Sequence, residues 1–96
     1  MRFMRIPKKI KVGAYTFKIV YRDDLEEVLD KQMVGMCNPN KQQIFIKHGQ
    51  IKSQEISTFL HEWIEAANHI YGIGLKHIQI EALEAALYQL LTEHKL

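Results

Sequence analysis

The sequence predicts an α+β fold: an antiparallel sheet of about four strands, built as two hairpins, followed by two C-terminal helices packed on it. Two observations carry this. Apolar residues alternate with polar ones in short β-branched and aromatic runs through the first half of the chain, with turn residues between them. In the second half the apolar residues recur at helical spacing over two long stretches separated by a glycine-containing connection. At 96 residues, 47% hydrophobic and 25% charged, the chain forms one small domain, residues 1–96, with a modest core.

Residues 1 to 7 end at Pro7 and read as an irregular lead-in or edge strand. Lys9-Ile10-Lys11-Val12 alternates, Gly13-Ala14 turns the chain, and Tyr15-Thr16-Phe17-Lys18-Ile19-Val20-Tyr21 returns it as the second strand of a hairpin. In Asp23 to Asp30, acidic residues come first and Leu25, Val28 and Leu29 fall at i, i+3 and i+4, which suits one or two helical turns or a structured loop. Met33 to Cys37 makes a third strand, Asn38-Pro39-Asn40-Lys41 a turn, and Gln42 to Lys47 a fourth strand with Ile44 and Ile46 on one face. His48-Gly49-Gln50 breaks the pattern.

Ser53 is the expected N-cap of a helix over about Gln54 to Tyr71, with Glu55 in its first turn. Its apolar stripe is Ile56, Phe59, Leu60, Trp63, Ala67, Ile70 and Tyr71. Gly72 stands where a left-handed cap belongs, and Ile73-Gly74-Leu75 turns the chain into a last helix over about His77 to Thr92. Ile80, Leu83, Leu87, Leu90 and Leu91 form the face that this helix should bury.

Composition narrows the chemistry. Cys37 is the only cysteine, which excludes an internal disulfide framework and a cysteine-based zinc ribbon, so a metal would take His and carboxylate ligands. No signal-peptide pattern opens the chain and no stretch reaches membrane-spanning length, so a cytosolic protein is expected. Residues 1–52 hold 11 Lys/Arg against 5 Asp/Glu, and residues 53–96 hold 2 against 6, net charges of +6 and −4. The lysines alternate with apolar residues and read as the solvated face of a sheet. Glu81, Glu84 and Glu93 make the last helix a poor phosphate-facing element, and nucleic acid is not an expected partner.

The chemistry concentrates in Thr58-Phe59-Leu60-His61-Glu62-Trp63-Ile64-Glu65-Ala66-Ala67-Asn68-His69. Residues four apart share a helix face, so His61 and Glu65 present an imidazole and a carboxylate side by side. Glu62 points about 100° round the helix, where a carboxylate can serve a water without ligating the ion. The string is one residue from the H-E-x-x-H signature of zinc peptidases, with Glu65 at the second histidine.

Asn68 shares the side of His61 and Glu65, while His77, Glu81, Glu84 and Tyr88 form a polar strip on the last helix. The tight connection between the helices brings the strips together, giving a candidate site of His61, Glu65 and His77 for zinc or another divalent metal. Asn68, Glu81, Glu84 and Tyr88 surround it, and Glu81 or Glu84 serves either as an alternative ligand or as the acceptor of an imidazole N–H. His69 drifts about 80° from His61 and is expected to be exposed. His48 and His94 are read as solvated, and Cys37 as an inert strand residue.

Ile10-Lys11-Val12-Gly13, Gly35-x-Cys37-Asn38-x-Asn40-x-x-Gln43, and His61-Glu62-x-x-Glu65-Ala66-x-Asn68 followed by Leu75-x-His77-x-x-Ile80 and Leu83-Glu84-x-x-Leu87-Tyr88-Gln89 span most of the chain. Together they resemble the small zincin-like, metallopeptidase-like proteins of bacteriophages and prophages, in a subgroup with an HExxE motif for HExxH. The resemblance implies a zincin-like sheet and active-site helix, metal ligands His61, Glu65 and His77, and Glu62 as the catalytic, water-activating residue. It implies a bacterial host cytoplasm but supplies no substrate; a protein or peptide is the expected class of substrate or partner. The alternative of another class is a non-catalytic module that binds a host or phage protein and keeps the polar strip as structure.

Overall fold

The computed structural model describes residues 5–25 and 33–93. Four strands, β1 (Lys9–Val12), β2 (Tyr15–Arg22), β3 (Gly35–Asn38) and β4 (Gln43–Lys47), precede two helices, α1 (Lys52–Tyr71) and α2 (His77–Glu93). Most of the helical turn or loop expected over Asp23 to Asp30 lies outside the described residues, as does His94; Leu25, at its start, is fully buried. No described helix is long and apolar enough to cross a membrane.

Both hairpins form, but they join into a mixed sheet and not the antiparallel one expected. The strand order is β1-β2-β4-β3, with β2 and β4 parallel. A run of three buried apolar residues, Ile44-Phe45-Ile46, explains why β4 takes an interior place: both its faces are covered, whereas Gly35-Met36-Cys37-Asn38 suits an edge. The link from Arg22 to Gly35 is long enough to carry the chain to the far edge before β4 returns beside β2. Ile19 then pairs with Ile44, Val20 with Phe45 and Tyr21 with Ile46.

Helix α1 lies across the sheet. Ile56, Phe59, Leu60 and Ala66 meet Val12, Phe17, Ile44 and Ile46 in one buried cluster, with Trp63, Ala67 and Ile70 at its margin. Burial of each large side chain contributes roughly 1.5–3 kcal/mol before entropy is counted. The helix starts two residues earlier than expected. Ile51, in extended conformation, is its N-cap, and Glu55 N–H bonds the Ile51 carbonyl, so Ser53 stands inside the first turn and caps nothing. Gly72 ends the helix at φ 62°, donating to the carbonyls of Asn68 and His69.

Helix α2 packs chiefly against α1 and not on the sheet as expected. Ile80 is buried, and Leu87, Tyr88 and Leu91 lean on the edge of the core, but Leu83 and Leu90 are exposed, as is Tyr71 on α1. With one neighbouring helix to meet, α2 buries only a narrow stripe, and Leu83 and Leu90 fall to one side of it.

Candidate metal centre

His61 and Glu65 stand one turn apart on α1, both half-buried, and His77 opens α2. One ligand atom from each can be chosen so that all three lie within 4.8 Å of one another, and the two imidazole rings sit 5.5 Å apart at 62°. These three residues form the one such group among the described residues. The juxtaposition follows from the connection. Asn68 accepts from Leu75 N–H at 2.8 Å and donates to Leu75 C=O at 3.2 Å, closing the chain back on α1 two residues before His77. Gly74 turns it there at φ 81°. Gln79 then accepts from Lys76 N–H at 2.8 Å, capping the start of α2.

The surrounding carboxylates are divided between the histidines. Glu84 Oε1 lies 2.7 Å from His61 Nδ1, and the other oxygen of Glu84 accepts the Ser57 hydroxyl. Glu81 lies 2.9 Å from His77 Nε2. A carboxylate on Nδ1 of His61 fixes the ring and leaves Nε2 as its ligand nitrogen, the arrangement that orients and strengthens a metal-binding imidazole. Glu81 and Glu84 thus occupy the acceptor positions. Asn68 bonds the backbone of the connection and reaches no ligand atom. Tyr88 lines a neighbouring groove of about 340 Å³ with Ser53, Gln54, Ser57, Glu84 and Ala85.

Glu62 turns toward the sheet and is only 8% exposed. Burial pushes its carboxyl up to about 7; His61 draws it down, and Glu65 and Glu84 push it further up. Beside it runs β3. A Cβ on Gly35 would stand 2.5 Å from Thr58 Cγ2 and 3.1 Å from Glu62 Oε2, so the strand reaches this close only as glycine. Gly35, Thr58, His61, Glu62, His77 and Glu81 border a recess of about 280 Å³. Cys37, behind them, has its thiol pushed up to about 12 by burial and then by Glu62 and Glu65, which leaves it unreactive near neutral pH. His69 and His48 are exposed, the latter 3.3 Å from Asp23.

Two imidazoles and one carboxylate are a donor set that zinc accepts. Tetrahedral bonds of 2.0–2.2 Å place ligand atoms roughly 3.3–3.5 Å apart, so separations of up to 4.8 Å would close by as much as about 1.5 Å. His77, with 70% of its side chain exposed, has the freedom to do so, while Glu84 and Ser57 hold His61. The group can therefore hold a divalent ion.

Ser57 and Gly35 were not among the site residues expected from sequence, yet each leaves a signal there. Ser57 is four residues before His61 and shares its helix face; Gly35 is a glycine inside a strand, the usual mark of close approach. No protein-family model, curated protein or solved structure matches the chain.

Proposed function

We propose that this protein is a small zincin-like, metal-dependent hydrolase of phage type, peptidase-like in its chemistry, acting in the host cytoplasm. The observation that carries the reading is the convergence of His61, Glu65 and His77 from two helices, with Glu62 buried one position from the first of them. His61, Glu65 and His77 would hold the ion, which would supply Lewis-acid polarisation of a carbonyl and acidify water. Glu62 would be the base that takes a proton from the attacking water and the acid that hands it to the leaving amine. Glu84, steadied by Ser57, holds the His61 ring, and Asn68 fixes the connection that delivers His77. On its outer side β3 has no partner strand among the described residues, so an extended peptide can add to the sheet next to Glu62. Glu65, in place of a histidine, lowers the net charge of a bound ion and makes it a weaker Lewis acid than a three-histidine centre.

Elemental analysis of untagged protein and zinc titration calorimetry test this. One equivalent of zinc should bind, and His61→Ala and His77→Ala should each abolish it. Glu62→Gln should keep the metal and lose hydrolysis of an unfolded protein substrate. Metal-free protein with a flat titration overturns the metal centre; stoichiometric zinc with no turnover overturns the hydrolase alone.

A further inference from the structure

Charge separates by layer in this fold. Through Lys52 the described residues carry nine Lys/Arg and two Asp, whereas residues 53–93 carry six Glu and one Lys. The two aspartates stand just beyond the end of β2 and are engaged, Asp24 with Arg22 at 2.7 Å and Asp23 with His48. At the opposite end of the sheet the lysines form no ion pair with an acid among the described residues.

Strand alternation sets their direction. Val12 and Phe17 point into the core, with Ile10 and Ile19 packed against it, so Lys9, Lys11, Thr16 and Lys18 project from the other face, where all four are exposed. The register puts Lys9 directly opposite Lys18, and continues that row through Gln43 to Asn38. Lys18 N–H bonds the Gln42 carbonyl, which brings the turn bearing exposed Lys41 to the same end. Like charges directly opposite across two strands are destabilising, and no ion pair among the described residues relieves Lys9, Lys11, Lys18 or Lys41.

We propose that this outer sheet face docks, without sequence preference, on the phosphate backbone of a nucleic acid. Lys9 and Lys11 are roughly 6.7 Å apart along the strand, close to the spacing of successive phosphates, and Thr16, Gln43 and Asn38 add hydrogen-bonding groups beside them. A protein partner would need an apolar centre to its interface. Val20, Met36 and Phe45 share this face, but Phe45 is buried with Arg22 over its ring and the other two are half-buried, so none of the large exposed apolar side chains stands here, whereas nucleic-acid interfaces are polar and strongly positive. The acidic helices, which make a poor recognition element, face away and need not touch the ligand.

Fluorescence anisotropy of the full chain with a fluorescein-labelled 25-base-pair DNA duplex, in EDTA, tests this independently of any metal. Each lysine–phosphate contact contributes about −0.9 to the slope of log K against log salt, so four give about −3.6 and roughly a 150-fold loss between 50 and 200 mM salt. Lys9→Gln with Lys18→Gln should reduce the slope by about 1.8 and weaken binding at 50 mM salt by tenfold or more. An unchanged or raised melting temperature in that variant shows that the fold persists. No anisotropy change at 50 mM salt, or a double variant that binds as tightly as the wild type, overturns the proposal. So does binding confined to polyglutamate or to phosphatidylserine vesicles.

Discussion

Gly35→Ala tests how closely the edge strand sits on the site helix. The new methyl would lie 2.5 Å from Thr58 Cγ2, inside any tolerated contact, and 3.1 Å from both Cγ and Oε2 of Glu62. Overpacking of this kind costs about 1–3 kcal/mol, while loss of glycine's unfolded-state freedom returns about 0.4–1 kcal/mol, for a net destabilisation of about 1–2 kcal/mol. Thr58→Ser removes the clashing methyl but keeps the hydroxyl that donates to the Gln54 carbonyl at 2.8 Å; alone it should cost about 1 kcal/mol for the lost buried methyl. In the double variant the serine opens the space that the alanine needs, so the combined cost should fall below the sum of the two by about 1 kcal/mol. Urea unfolding of the four proteins in EDTA measures the cycle. Strict additivity, or a Gly35→Ala protein as stable as the wild type, would refute the claim that the β3 backbone rests on Thr58 and Glu62.

Two further outcomes follow from the site. The carboxyl of Glu62 is raised from its ordinary value to about 7, so between the two values the native state holds more proton than the unfolded chain and stability falls as pH rises. Glu62→Gln in metal-free protein should therefore match the wild type near pH 4.5 and exceed it by up to about 3 kcal/mol at pH 8; a stability difference independent of pH in urea titrations would contradict the burial assigned to this carboxyl. Asn68→Ala leaves the Leu75 N–H and C=O without their partners, at about 1–3 kcal/mol, and loosens the segment that presents His77. Its zinc affinity should fall although no ligand has changed, and calorimetry showing wild-type affinity would remove the positioning role.

Local signals carried much of the architecture. The α1 stripe and the Gly72 cap come from side-chain spacing and backbone preference, both written in neighbouring residues. The pairing of β2 with β4 is a choice between distant strands. Its one local trace is the continuous apolar run Ile44-Phe45-Ile46, which alternation alone reads as an ordinary hairpin strand. Leu83 and Leu90 mislead for a related reason: helical spacing names a face without saying how much of it a neighbour covers. At the site, i to i+4 spacing placed His61 beside Glu65, and a short connection brought His77 to them. Spacing could not divide the carboxylates, because whether Glu84 reaches His61 and Glu81 reaches His77 depends on how α2 is rotated on α1.

That rotation links fold and site. Helix α2 rests chiefly on α1, and its docking is secured by Ile80, the Asn68 clasp on Leu75, and the Glu84 contacts with Ser57 and His61. Two of these three sets of contacts also assemble the donor group. Undocking α2 and dispersing the His77 ligand are therefore one motion, and an ion shared by His61, Glu65 and His77 would bind only the docked state. Linkage then requires it to stabilise α2 on α1 by about 2.7 kcal/mol at a concentration a hundredfold above its dissociation constant. In a domain whose last helix buries so little of its own surface, a metal at this position would act as a structural clamp as well as a chemical centre, and substitution of a ligand, unlike Glu62→Gln, would remove both functions together.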